Sequence, residues 1–132
     1  MAEYILWRPN FSVGNDSLDT EHKVVIGLIN ELYAAVSANA PDVDLKAVMD
    51  RVIRYTITHF QHEEQVMLEC GFPDIQAHKL LHERLRKRTI DFRDNLTLVT
   101  ARDLLLFLKD WWCAHIQEKD KGYTPYLEMA VH

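Results

Sequence analysis

Cysteine is nearly missing from this chain: Cys70 and Cys113 are the only two in 132 residues. Two thiols make no disulfide framework, and in an unexported chain they are expected to stay reduced. The opening stretch, "MAEYILWRPNF", lacks a basic segment followed by a long apolar run, so no secretory signal is read there. No run approaches the ~18 apolar residues that would suggest a membrane-spanning helix. An excess of positive charge is also lacking. Lys and Arg number 15 against 20 Asp and Glu, for a net charge of -5, which argues against a nucleic-acid partner. The expectation is a cytoplasmic protein with neither nucleic acid nor membrane as partner. Alternation of period two is missing as well, so nothing argues for a sheet.

Glycine and proline, four of each, fall where the apolar pattern breaks, and that punctuation leaves four helices. Residues 1–18 hold Pro9, Asn10, Gly14, Asn15 and Asp16 and read as an extended, looped arm. A first helix is expected from Asp19, as its N-cap, through "TEHKVVIGLINELYAAVSANA" to just before Pro41. A second runs from Asp42 to Gly71, a natural residue for a helix C-terminus. Pro73 and Asp74 open a third, with Ile75, His78, Leu81, His82, Leu85 and Phe92 on its inner face. The fourth is expected from about Thr100 to about Glu118, with Leu104, Leu108, Trp111 and His115 inward and Gly122 and Pro125 stopping it. The fold class is all-α, an up-down-up-down antiparallel four-helix bundle with an extended N-terminal arm. The whole of 1–132 reads as one domain, with the bundle and a short C-terminal tail in 19–132.

The histidines are distributed across these helices in a telling way. His59 and Glu63 are four apart, which puts them ~40° from each other and about one turn along a helix. His78 and His82 repeat the spacing. His22 lies in the first turn of the first helix and His115 near the end of the fourth. Asp120 follows His115 by five, ~140° round an ideal helix, so it points inward only if the helix loosens in "EKDKGY". In an antiparallel bundle these seven positions share one level near one end. Buried polar groups are costly unless something satisfies them, and five core histidines bonded separately would not share a level. Five imidazoles and two carboxylates exceed one tetrahedral zinc and are too nitrogen-rich for magnesium or calcium. Two six-coordinate first-row ions sharing bridging carboxylates account for all seven, and mixed His/carboxylate ligation suits iron.

"HFQHEE", "HKLLH" and "WWCAHIQEKD" resemble the hemerythrins, in particular their single-domain bacterial form, and the resemblance extends to Trp7, "VGNDSLDTEHK", "CGFP" and Tyr123. It implies a cofactor of two iron ions with a bridging oxo or hydroxo group. His78, His82 and His115 would hold one iron and His22 and His59 the other, with Glu63 and Asp120 bridging. The second iron would keep an open position, where hemerythrins bind dioxygen reversibly. The implied function is oxygen storage, delivery or buffering, by a protein that is not an enzyme. A sensor acting through a protein partner, and peroxide or nitric oxide turnover or ferroxidase chemistry at the same centre, are the alternatives.

The chain departs from the family at Trp112, three before His115, where an aliphatic residue, commonly Leu, lines the oxygen pocket. Trp112 and Ile26 are expected to line that pocket here, the indole narrowing it. Alternatively, Trp112 turns outward and Trp111 fills the space. His62 and Glu64 are expected at the surface, Glu64 solvated or paired with a basic side chain. Asp19 is expected to serve as a cap, Cys113 to face away from the irons, and His132 to be a terminal residue without a role. "ERLRKR", residues 83–88, is expected to be the exposed face of the third helix.

Overall fold

A computed structural model describes residues 4–130 of the chain, so His132 lies outside the described residues. Four long helices carry the fold: α1 (Asp16–Ser37), α2 (Asp42–Cys70), α3 (Ile75–Asp94) and α4 (Leu98–Ala114). A π turn (His115–Lys119) and a 3-10 turn (Asp120–Tyr123) follow, then a short α5 (Thr124–Ala130). The described residues contain no strand. α1 packs on α2 and α4, and α3 packs on the same two, closing an antiparallel ring. Val25, Ile29, Leu32 and Val36 of α1 meet Leu45 and Met49 of α2, Leu85 of α3 and Leu104 and Leu108 of α4 in an apolar interior.

Helix ends follow local chemistry, and three differ from expectation. α1 begins at Asp16, not Asp19, because the Asn15 side chain caps it by accepting the Leu18 N–H at 2.9 Å. Asp19 is not the cap. Its carboxylate turns back to the arm, accepting the Val13 N–H at 2.9 Å and the Ser12 hydroxyl at 2.6 Å. α1 ends at Ser37, short of Pro41, because Asn39 adopts a left-handed φ of 55°, a conformation Asn tolerates. α4 opens at Leu98, where Thr97 and Thr100 form a reciprocal capping box. The largest difference is at its far end. The chain does not stop at Pro125, which sits at the second position of α5, where the missing N–H costs nothing. Gly71, with φ 78°, ends α2 as expected.

The N-terminal arm is tied down at three points. Asn30 of α1 accepts the Ile5 N–H at 2.8 Å and donates to the Ile5 carbonyl at 2.9 Å. Asp19 holds Ser12 and Val13, and Thr124 donates to the Val13 carbonyl at 2.6 Å. The arm thus links the start of α1 to the segment just after Asp120. Asn30→Ala is expected to lower stability by about 1–2 kcal/mol, because two hydrogen bonds are lost together. Urea unfolding checks this, and metal uptake should be unchanged because Asn30 is about two turns from His22.

Candidate metal centre

At one end of the bundle the interior turns from apolar to polar. His22 (α1), His59 and Glu63 (α2), His78 and His82 (α3), His115 and Asp120 (the π turn and the residue after it) are all buried there. Helical spacing places the pairs: His59 and Glu63, and His78 and His82, are each one turn apart on an inner face. Asp120 needs another device. The π turn makes an i to i+5 bond from the Asp120 N–H to the His115 carbonyl, which stacks residue 120 over residue 115. The loosening anticipated in "EKDKGY" takes this form.

The two carboxylates divide their oxygens in the same way. Glu63 Oε1 lies 3.2 Å from His78 Nε2 and 3.0 Å from His82 Nε2, while its Oε2 lies 3.4 Å from His22 Nε2 and 3.5 Å from His59 Nε2. Asp120 Oδ1 lies 2.9 Å from both His78 Nε2 and His115 Nε2, and its Oδ2 lies 3.2 Å from His22 Nε2. Each carboxylate therefore turns one oxygen to the set His78, His82 and His115 and the other to the set His22 and His59. Two overlapping donor groups result: Glu63, His78, His82, His115 and Asp120 in one, His22, His59 and Glu63 in the other.

Glu63 Oε1 and His78 Nε2 bond each other at 3.2 Å, but several of the other donors converge without satisfying one another. His22 Nε2, His59 Nε2 and both Asp120 oxygens are buried and lack a hydrogen-bond partner, despite separations of 2.9–3.5 Å from neighbouring donors. The distances are short, but the directions are wrong for hydrogen bonds. His82 Nε2 and His115 Nε2 face each other at 3.1 Å. Native interiors rarely leave so many buried polar atoms unpaired. A cation within each donor group would satisfy them, so this donor set fits a metal pair.

Two acidic residues set the tautomers, one passed over in the sequence and one expected at the surface. Glu21 Oε1 accepts from His59 Nδ1 at 2.8 Å, and its Oε2 bonds His62 Nδ1 at 2.6 Å. Glu64, expected to be solvated or paired with a basic side chain, takes the second course and accepts from His82 Nδ1 at 2.8 Å. A proton held on Nδ1 leaves Nε2 as a lone pair facing the centre. His62 is partly exposed and is no part of the donor set. Each acid stands next to a cluster residue in sequence, Glu21 before His22 and Glu64 after Glu63. On a helix that offset of ~100° aims it at the neighbouring helix, and this was the signal available. Tyr123 donates its hydroxyl to Glu63 Oε2 at 3.1 Å and steadies the carboxylate from the other side.

Without metal, protons balance the charge. Burial alone would push His22 down, but the Asp120 and Glu63 carboxylates at its Nε2 outweigh it and raise it to about 9. His78 is raised to about 9 by the same carboxylates against the same burial. His59 is raised by Glu21 and Glu63, again against burial. Burial keeps His115 low, although Asp120 opposes it. Glu63 is held well below the carboxylate range, because four histidines outweigh its burial.

Trp112 turns inward, which removes the alternative of an outward indole. It is 1% exposed, with its ring centroid 6.0 Å from that of His59, 6.5 Å from that of His22 and 5.5 Å from that of Phe60. Trp111 is half-buried and stacks on His115 at 4.2 Å. Ile26, one turn beyond His22 on α1, is buried. Cys113 is half-buried and outside the donor set.

An all-α bundle whose interior presents two overlapping histidine and carboxylate donor groups defines a class of metal-binding helical proteins. The hemerythrin HHE cation binding domain matches residues 13–127, and the chain belongs to the hemerythrin family. It is 32% identical over 132 residues to a bacteriohemerythrin of Stenotrophomonas maltophilia (strain R551-3), covering 97% of this chain and 84% of that protein. It is also 32% identical over 122 residues to a hemerythrin-like protein of Naegleria gruberi, covering 92% of each. Among solved structures, a wild-type hemerythrin superposes with a TM-score of 0.84 at 27% identity, over 94% of this chain and 98% of that one. A hemerythrin mutant with one leucine replaced by alanine superposes with a TM-score of 0.85 at 26% identity, over 96% and 98%. Among the described residues no helix is long and apolar enough to cross a membrane.

Proposed function

We propose that the chain binds dioxygen reversibly at a pair of non-haem iron ions, serving oxygen storage, delivery or buffering. His78, His82 and His115 would hold one iron and His22 and His59 the other, with Glu63 and Asp120 shared between them alongside an oxo or hydroxo group. The observation that carries this reading is the matched division of the two carboxylates, each with one oxygen toward each histidine set. When bound, the iron pair would supply the electrons for dioxygen binding, and the two-histidine side would leave room for the ligand. The chain supplies the surroundings. Glu21 and Glu64 orient His59 and His82, Tyr123 steadies Glu63, and the buried Ile26 and Trp112 would shield the ligand side from water. Apart from the donor cluster and its partners, no nucleophile and base among the described residues stand together there, which favours carrying a ligand over transforming it.

The test is optical. Reduced, iron-loaded protein mixed with oxygen should develop a visible charge-transfer band that disappears when oxygen is removed and returns over repeated cycles. A band that decays irreversibly while peroxide is consumed with measurable turnover would replace the carrier reading with an enzymatic one.

A further inference from the structure

Outside the donor cluster and its residues, only two buried side-chain polar atoms of the described residues lack a partner: Trp112 Nε1 and Thr56 Oγ1. They border one wall. Thr56 precedes His59 by three and Phe60 by four on α2, so it lies on the same helix face, on the side of His59 away from Glu63. Trp112 packs on those same two rings from α4, with centroids 6.0 and 5.5 Å away. Neither orphan bonds to the other, and Phe60, on which the indole packs, is apolar. An indole N–H can only donate, whereas a hydroxyl donates or accepts. A donor left unpaired in an apolar enclosure is costly unless a guest accepts its hydrogen bond.

We propose that Trp112 Nε1–H, together with Thr56 Oγ1 of α2, is a specificity-determining donor pair for the ligand at the His22–His59 side. It favours small anions that carry an accepting atom over ligands of similar size that carry none. This rests on the reading of His22 and His59 as the half of an iron pair with the open position. Bulk and donor act separately: the ring narrows the pocket, and the N–H selects what occupies it.

Azide is the probe, with iron content measured on every sample. Trp112→Phe keeps an aromatic ring and removes the donor, and should weaken azide binding to the oxidised, iron-loaded protein roughly ten-fold, the lower end for a hydrogen bond to a charged acceptor. Thr56→Val, of the same shape, should weaken it several-fold. An independent readout needs no variant to fold. In the ultraviolet resonance Raman spectrum, the indole N–H mode should report a free donor in the metal-free protein and a bonded one after iron and azide are added. Fully iron-loaded Trp112→Phe with unchanged azide affinity, or an N–H mode that azide does not move, overturns the proposal and leaves the iron reading intact. Failure of the unmodified chain to take up iron overturns both.

Discussion

Glu63→Gln should cost the chain its metal while sparing its helices. The carboxylate is fully buried and is the one residue common to both donor groups. Glutamine fits the space but offers one neutral oxygen where two charged ones faced four histidines. Removing an outer partner of a ligand costs roughly 10–100-fold in metal affinity, and removing a shared ligand should cost more than that at both positions. Iron per chain after reconstitution should fall to a small fraction of the unmodified value, with far-ultraviolet circular dichroism unchanged. Glu21→Gln supplies the contrast. It touches only His59 and His62, so it should weaken metal binding within that roughly 10–100-fold range and still load fully at saturating iron. Equal iron content in Glu63→Gln and the unmodified chain would show that Glu63 is not a shared ligand.

The second large effect is a change in the pH dependence of stability on metal binding. In the metal-free protein His22 and His78 are raised to about 9, against about 6.5 when unfolded. Raised groups stabilise the fold fully below the unfolded value, and that contribution is lost as pH rises through the folded one. Glu63 and Asp120 are depressed, so theirs is present above about 4 and is lost only in strong acid. The metal-free chain should therefore be most stable near about pH 5–6 and weaken steadily toward about pH 9.5, by up to about 3 kcal/mol for each raised histidine. Ligation requires neutral imidazoles, so metal uptake releases these protons and tightens as pH rises. The loaded protein should show no such alkaline decline. Urea midpoints measured across this range with and without metal test this. A metal-free midpoint that stays flat over the range would mean the imidazoles are not paired with these carboxylates.

The features that were legible in the sequence are those fixed by spacing along one helix. His59 with Glu63 and His78 with His82 are set by helical periodicity, and antiparallel topology then puts them level with His22 and His115. Asp120 was legible only conditionally, since a π turn depends on how the backbone is held at both ends, here by His115 and by the arm contact at Thr124. The partners of Glu21 and Glu64 were missed because they depend on the rotation of one helix against another, which periodicity within a single helix does not fix. Asp19 looked like a cap because of its residue type, yet the arm's Val13 N–H competed for it and Asn15 took the capping role. The inward turn of Trp112 was likewise a matter of packing. Trp111 found a stacking partner in His115, and Trp112 was enclosed among His22, His59 and Phe60.

The most direct test of the centre itself is diffraction from iron-loaded crystals at the iron absorption edge. The account predicts two anomalous peaks per chain, one among His78, His82 and His115 and one beside His22 and His59, with Glu63 and Asp120 between them. A single peak, or none within bonding distance of His22 and His59, would contradict it.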